Sequence, residues 1–229
     1  PPPPTADLGE TPSSTAPPAS HGTVVANSSS GSTGQPVTVL GTVQDAVLFK
    51  AIELRFHLWH ERDFEQPLTA IRRFPRGEAG YPDGQHDDRW GDLTTFPFPT
   101  GPSSGLNTSA STAEQVDWLQ HQRLHYLMTF PSNLQALALH CLETDATLPG
   151  LAEVITVGEV VTPELRQLCK AAFGVKITDG YSAMEVGQIA LQCPEHPHYH
   201  VQSERLLVEV VDEQGKACAP GHVGQGPIT

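Results

Sequence analysis

The residues best suited to hold a polyanion form one run, Asn27-Ser28-Ser29-Ser30-Gly31-Ser32-Thr33-Gly34-Gln35-Pro36. Seven of its ten residues are Ser, Thr or Gly, so it offers hydroxyl donors and a backbone that lets a ligand approach closely. Consecutive N–H groups in such a loop form an anion-binding concavity. It is not a Walker loop, because the chain contains no G-x-x-x-x-G-K-S/T. A Gly/Ser linker has the same composition, and the run by itself leaves both readings open.

A second group is Cys193-x-x-His196-x-His198-x-His200. Cys and His are the usual zinc ligands, which makes zinc one reading. The other is a buried Cys beside solvated His residues in a Pro-rich loop. The aromatic residues Trp90, Phe96 and Phe98 either wall a small-molecule pocket or pin a long loop to the surface.

The elements that position these groups follow from local pattern. Residues 1–21 are rich in Pro, Ser and Thr with almost no large apolar side chain, and are expected to be a disordered segment. The β-prone runs Thr23-Val24-Val25 and Val37-Thr38-Val39-Leu40 flank the Ser/Gly loop. Thr42 reads as the cap of a helix from Val43 to about His60, with Ala46, Val47, Lys50, Leu54 and Leu58 on a broad apolar face. From about Arg72 to Gly105 the chain is turn-rich and reads as an irregular excursion. Ser111 or Thr112 then caps a helix to about Gln122, His125–Phe130 reads as a buried strand, and Pro131 starts a helix to about Leu142.

The next unit has the clearest signals. Glu153–Val157 is a strand that ends at Gly158-Glu159. Thr162 caps a helix with Pro163 at its first position, and Gly174 closes it. Val175–Thr178 is the following strand, so the unit is βαβ and expected to be parallel and right-handed. Ligands in such sheets bind beyond the carboxyl ends of the strands. Gly158-Glu159 and Asp179-Gly180-Tyr181-Ser182 both fall there. Residues 22–187 are thus expected to form an α/β domain. Residues 188–229, with strand-like Ile189–Gln192 and Leu206–Val211, read as the start of a β-rich subdomain that the chain does not finish.

Composition bounds the partners. At 229 residues the chain is long enough for a sizeable core. A net charge of −13 argues against a nucleic-acid surface, because such binding rests on Lys and Arg contacts to phosphate. The four cysteines show no C-x-x-C pair, consistent with a reduced, cytoplasmic protein. No apolar run approaches about 18 residues, so a soluble protein without a membrane partner is expected. Oligomeric state is left open, a dimer included.

Three stretches in order resemble the AMP-binding acyl-adenylate-forming ligases, with the phenylacetate–CoA ligase-like branch the most similar. Ser29-Ser30-Gly31-Ser32-Thr33-Gly34-Gln35-Pro36 is similar to that family's S/T-S-G-S/T-T-G-x-P loop. Gly158-Glu159 followed by Phe173-Gly174-Val175-Lys176 resembles its G-G-E…F-G segment. Asp179-Gly180-Tyr181-Ser182-Ala183-Met184-Glu185 stands where the family has D-x-Y-G-x-T-E. Cys193, His200, the run to Val211 and Gly221-His222-Val223-Gly224 extend the likeness over roughly residues 23–225.

The resemblance implies a mixed or parallel sheet flanked by helices, as in the N-terminal domain of adenylate-forming enzymes. It implies ATP-dependent activation of a carboxylic acid, aromatic or otherwise hydrophobic, as acyl-AMP, followed by transfer to CoA. Ser29, Ser30, Gly31, Ser32, Thr33 and Gly34 would hold the departing phosphates. Tyr181 would lie against adenine, with Gly158, Glu159, Asp179, Gly180 and Ser182 as edge and backbone contacts. Glu185 would bind Mg²⁺ and be the catalytic carboxylate. Met184 departs from the family's Thr and cannot donate its hydrogen bond, and Ser182 replaces Gly. The chain also stops before the family's ribose-binding Asp, hinge and C-terminal domain with its catalytic Lys. A partial chain is therefore expected. An adenylyltransferase with another acceptor and a non-catalytic remnant of the fold remain alternatives.

Overall fold

The computed structural model describes residues 19–28, 38–90, 98–183 and 186–225. Its contacts divide the chain into two units, one ending at Phe49 and one beginning at Lys50.

In the first unit β1 (Val24–Ser28) and β2 (Thr38–Thr42) pair antiparallel, with Val24 opposite Thr42 and Ser28 opposite Thr38. The chain between the paired ends Ser28 and Thr38 is the Ser/Gly run, and residues 29–37 lie outside the described residues. Helix α1 (Val43–Trp59) follows β2 directly. Its start is held by a reciprocal cap: Asp45 N–H donates to Thr42 Oγ1 at 3.2 Å, while Thr42 N–H and Oγ1 donate to Asp45 Oδ2 at 2.9 and 2.8 Å.

The second unit is built on an eight-stranded sheet. Its strands are β3 (Leu68–Arg72), β4 (Gln85–Asp87), β5 (Ser103–Asn107), β6 (Tyr126–Thr129), β7 (Glu153–Thr156), β8 (Lys176–Ala183), β9 (Gly187–Gln192) and β10 (Tyr199–Val201). They lie in the order β10-β9-β8-β7-β6-β3-β5-β4. The central five, from β8 to β5, run parallel, and the edges β4, β9 and β10 pair antiparallel. The expected mixed α/β sheet is present.

Helices α2 (Thr112–Gln120), α3 (Pro131–Thr144) and α4 (Pro163–Phe173) connect strands, and their apolar residues share one core with the sheet. Ile71, Leu106, Leu127, Val154, Leu134 and Leu137 are wholly buried there. Removing each such side chain from water contributes about 1.5–3 kcal/mol. A second cluster joins Leu68, Tyr126, Ile155 and Leu191 to Ile52 and Phe56 of α1. Strand residues alternate between the clusters: Val154 and Ile177 belong to the first, Ile155 and Leu191 to the second. The helix signals read from the sequence hold closely. Ser111 and Glu114 form a capping box on α2, Thr162 Oγ1 accepts the Leu165 N–H, and Gly174 ends α4 in the left-handed region.

Three expectations are corrected. The buried side of α1 is Ile52, Phe56 and His57, whereas Val47 and Leu58 are 61% and 57% exposed. Apolar spacing alone does not say which of two overlapping stripes meets the sheet. The excursion from Arg72 to Gly105 contains β4 and β5. The latter is Ser-Ser-Gly-Leu-Asn, too polar to read as a strand, yet held between β3 and β4. Leu206–Val211 is no strand; it holds two isolated bridge residues, Val208 and Val211, the latter paired with Ala217 and Gln225. Of the two readings of the aromatics, packing holds: Trp90 is 4% exposed in the second core cluster and donates Nε1–H to the Gln66 carbonyl at 2.7 Å, which anchors the excursion to the core.

Candidate functional site

The geometry begins with strands of unequal length. β7 ends at Thr156, but its neighbour β8 continues to Ala183. Lys176–Asp179 pair parallel with β7, and Gly180–Ala183 pair antiparallel with β9. The hand-over falls between Asp179 and Gly180. Past that point β8 has no β7 beside it, which leaves a ledge at the carboxyl end of the parallel strands. Asp179-Gly180-Tyr181-Ser182, expected just beyond the strand, is therefore strand itself, because β9 supplies a new hydrogen-bonding partner.

Gly158 turns the chain off the end of β7 with φ +77°, a left-handed conformation that side chains other than glycine rarely adopt. Glu159 then reaches the start of α3. Its carboxylate accepts the Ser132 backbone N–H at 2.8 Å and the Ser132 hydroxyl at 2.9 Å. On the ledge, Tyr181 is 55% exposed and Ser182 is half-buried beside a bulge. A Cβ at Gly180 would come within 3.3 Å of Gln188 Oε1.

Asp179 is the most tightly held of these residues. It is 6% exposed, and Thr156 Oγ1 donates to its Oδ1 at 3.2 Å. The Tyr199 hydroxyl donates to its Oδ2 in a short hydrogen bond. Its own N–H donates to Gln192 Oε1 at 3.0 Å, an oxygen shared with Arg166 at 3.2 Å. Burial and the Asp179 carboxylate push the Tyr199 phenol up to about 12, so it stays protonated and donating. Both carboxylate oxygens of Asp179 thus already have protein partners. None of Thr156, Ser132, Gln192 or Tyr199 was singled out by sequence reasoning. Thr as the last residue of a buried strand was the available signal for the first.

A buried charge pair lies at the other end of β7. Arg62 holds Glu153 through two hydrogen bonds of 3.0 Å, and Thr178 Oγ1 donates to the same carboxylate in a short bond. Burial raises the Glu153 pKa, but the Arg62 bonds and charge outweigh it, leaving the group below its ordinary value. His57 Nδ1 is 3.1 Å from Arg62 Nη1. Burial first and the Arg62 charge second push this imidazole down to about 3, so it accepts from the guanidinium as a neutral ring.

The Cys/His group occupies the β9–β10 hairpin. Ligand atoms of Cys193, His198 and His200 all lie within 4.8 Å of one another. Among the described residues it is the one such cluster of metal-ligating side chains. A tetrahedral zinc ion sets neighbouring S and N donors about 3.3–3.6 Å apart, so these side chains supply suitable donor types for three of its four positions. His196 stands apart from this group, its ring stacked on His198 at 5.6 Å. The hairpin borders a cavity of about 480 Å³ lined by Trp59, Cys193, Pro194, Glu195, His196, His198 and His200.

Ser29, Ser30, Gly31, Ser32, Thr33 and Gly34 lie outside the described residues, as do Met184 and Glu185. Among the described residues, no helix is long and apolar enough to cross a membrane.

No protein-family model and no curated protein sequence matches the chain. Solved structures do. An open conformation of 2-hydroxyisobutyryl-CoA ligase in complex with 2-HIB-AMP and CoA aligns with 93% of this chain and 49% of its own, at 16% identity and TM-score 0.67. The chain has the fold of the adenylate-forming ligases. The anthranilate CoA ligase AuaEII, in complex with anthranoyl-AMP, shares that fold over 89% of this chain and 38% of its own, at 19% identity and TM-score 0.67. The amide bond synthetase McbA from Marinactinospora thermotolerans shares it over 90% and 40%, at 16% identity and TM-score 0.57. The chain spans about half the length, or less, of these ligase-fold structures.

Proposed function

We propose that this chain is the nucleotide-binding part of an enzyme that activates a carboxylic acid with ATP, as acyl-AMP, and passes the acyl group to CoA. One observation carries the reading. The β8 ledge and the Gly158-Glu159 turn stand at the carboxyl ends of the strands, in the fold of a ligase captured with an acyl-AMP and CoA. An aromatic acid is the proposed substrate class, supported by the anthranilate ligase among the fold neighbours. Transfer to another acceptor is a second reading, favoured by the amide bond synthetase.

In this reading Ser29–Gly34 cradle the β- and γ-phosphates with hydroxyls and amides, and so hold the pyrophosphate as it leaves. The exposed Tyr181 ring offers a face for adenine, with Gly158, Glu159, Asp179, Gly180 and Ser182 around its edge. Because both Asp179 oxygens are engaged, its part is to fix the backbone from which Gly180 and Tyr181 meet the base. Glu185 holds Mg²⁺, a hard cation that takes carboxylate and phosphate oxygens and offsets charge on the phosphates. In-line displacement at phosphorus asks mainly for positioning and charge neutralisation, so no nucleophilic side chain is needed. Cys193, His198 and His200 hold zinc in a structural role. Four free cysteines, three of them buried, suit a cytoplasmic protein.

The test is carboxylate-dependent ATP–pyrophosphate exchange by the full-length protein against aryl and alkyl acids. Exchange with an aryl acid, reduced at least about a hundredfold by Glu185→Gln, is the expected result. No exchange with any acid would leave a non-catalytic form of the fold. Exchange without CoA-dependent AMP release would favour the second acceptor reading.

A further inference from the structure

The Cys/His hairpin and the ledge are joined by one side chain. Tyr199 stands between two of the clustered ligands, His198 and His200, and its hydroxyl donates to Asp179 Oδ2. The same hairpin supplies Gln192, which pairs with Tyr199 across the strands and accepts the Asp179 N–H at 3.0 Å. The Cys193 N–H closes the loop onto the His198 carbonyl at 2.8 Å. Asp179 is therefore gripped by its side chain and its backbone from the two outermost strands on this side of the sheet, β9 and β10. β10 has three residues, all exposed, and such an edge is marginal by itself. An ion bridging Cys193, His198 and His200 would fix the backbone on both sides of Tyr199, and with it the phenol's aim at Asp179.

We infer that Tyr199 is a positioning residue, through which a metal-held β9–β10 hairpin orders the Asp179–Gly180 hand-over of β8. This rests on the zinc and nucleotide roles proposed above. The metal acts at a distance from the nucleotide, and the hydroxyl is the link. Thr156 secures the other carboxylate oxygen from β7, so removing Tyr199's hydroxyl loosens Asp179 without releasing it.

The experiment compares full-length wild type, Tyr199→Phe and Cys193→Ser, each with zinc and after chelation. Zinc stoichiometry and amide hydrogen exchange over residues 176–183 are read without nucleotide. Wild type is expected to hold one zinc per chain, and chelation to speed exchange at Asp179 and Gly180 by about tenfold, the value of one hydrogen bond to a charged group. Tyr199→Phe should keep its zinc and exchange fast in both states, and Cys193→Ser should lose the metal. Absence of stoichiometric zinc in wild type overturns the proposal. So does an equal zinc effect in wild type and Tyr199→Phe. MgATP affinity is measured separately, with Tyr199→Phe expected to bind about tenfold more weakly than zinc-loaded wild type. Zinc-dependent exchange in a wild type that binds no MgATP would support the link and remove the nucleotide reading of the ledge.

Discussion

Glu159 caps a helix in a different part of the chain: its carboxylate accepts both the backbone N–H and the hydroxyl of Ser132, at 2.8 and 2.9 Å. Helix α3 has no side-chain cap of its own, since its N-cap is Phe130. The loop after β7 therefore supplies the acceptor that the loop after β6 lacks, and places negative charge at the positive end of a helix. Glu159→Ala is expected to lower stability by about 1 kcal/mol and to speed exchange at the first amides of α3. A melting temperature unchanged from wild type would mean that water replaces the carboxylate without loss.

Gly158 makes that reach available. Alanine there meets Phe130 Cε1 at 3.4 Å, an ordinary contact, so the cost comes from the backbone at φ +77°. Gly158→Ala should cost about 1–2 kcal/mol in denaturant unfolding, and Gly158→Asn less, because Asn tolerates the left-handed region. Equal losses for both would point to packing against Phe130 instead.

The Arg62–Glu153 pair is buried, with side chains 0% and 5% exposed. Arg62→Ala leaves the carboxylate without its cation, and a loss of about 3–5 kcal/mol is expected. Arg62→Met with Glu153→Leu should recover much of it, since neither charge then remains in the core. A double variant no more stable than the singles would show that the pair contributes net stability.

His57 beside this pair sets an acid limit. Its pKa falls from an ordinary 6.5 to about 3 on folding, so its contribution is complete above about 6.5 and is lost as pH drops toward 3. Glu153, also depressed, acts in the same direction. The His57 contribution, read from urea unfolding as the difference between wild type and His57→Gln, should decline steadily over that window. That variant keeps an acceptor and cannot titrate.

Glu53 has the opposite sign. Burial pushes its carboxyl from 4.5 up to about 8, with Lys50 pulling back only in part, and Oε2 has no hydrogen-bond partner among the described residues. Folding favours the protonated form, so stability is greatest below about 4.5 and is lost as pH rises through 8. Glu53→Gln should gain about 1–2 kcal/mol at pH 8 and nothing at pH 4. Equal effects at both values would separate the gain from ionisation.

Local signals in the chain were enough for the parts of this protein that obey local rules. Thr162-Pro163, Gly174 and the Ser111–Glu114 box mark helix ends because caps are satisfied within four residues. The β-branched run in 153–157 read as a strand with Gly158 at its end, so the strand-end position of the candidate site was legible too. Tertiary structure decided what depends on partners far along the chain. β5 is a strand because β3 and β4 hydrogen-bond to it, not because Ser-Ser-Gly-Leu-Asn favours one. Asp179-Gly180-Tyr181-Ser182 became strand when β9 took over from β7. Asp179 is enclosed by Thr156, Gln192 and Tyr199, between 13 and 23 residues away, and no spacing rule links such positions. Side-chain chemistry is written in the sequence; which groups saturate one another is settled only when the sheet brings them within hydrogen-bonding distance.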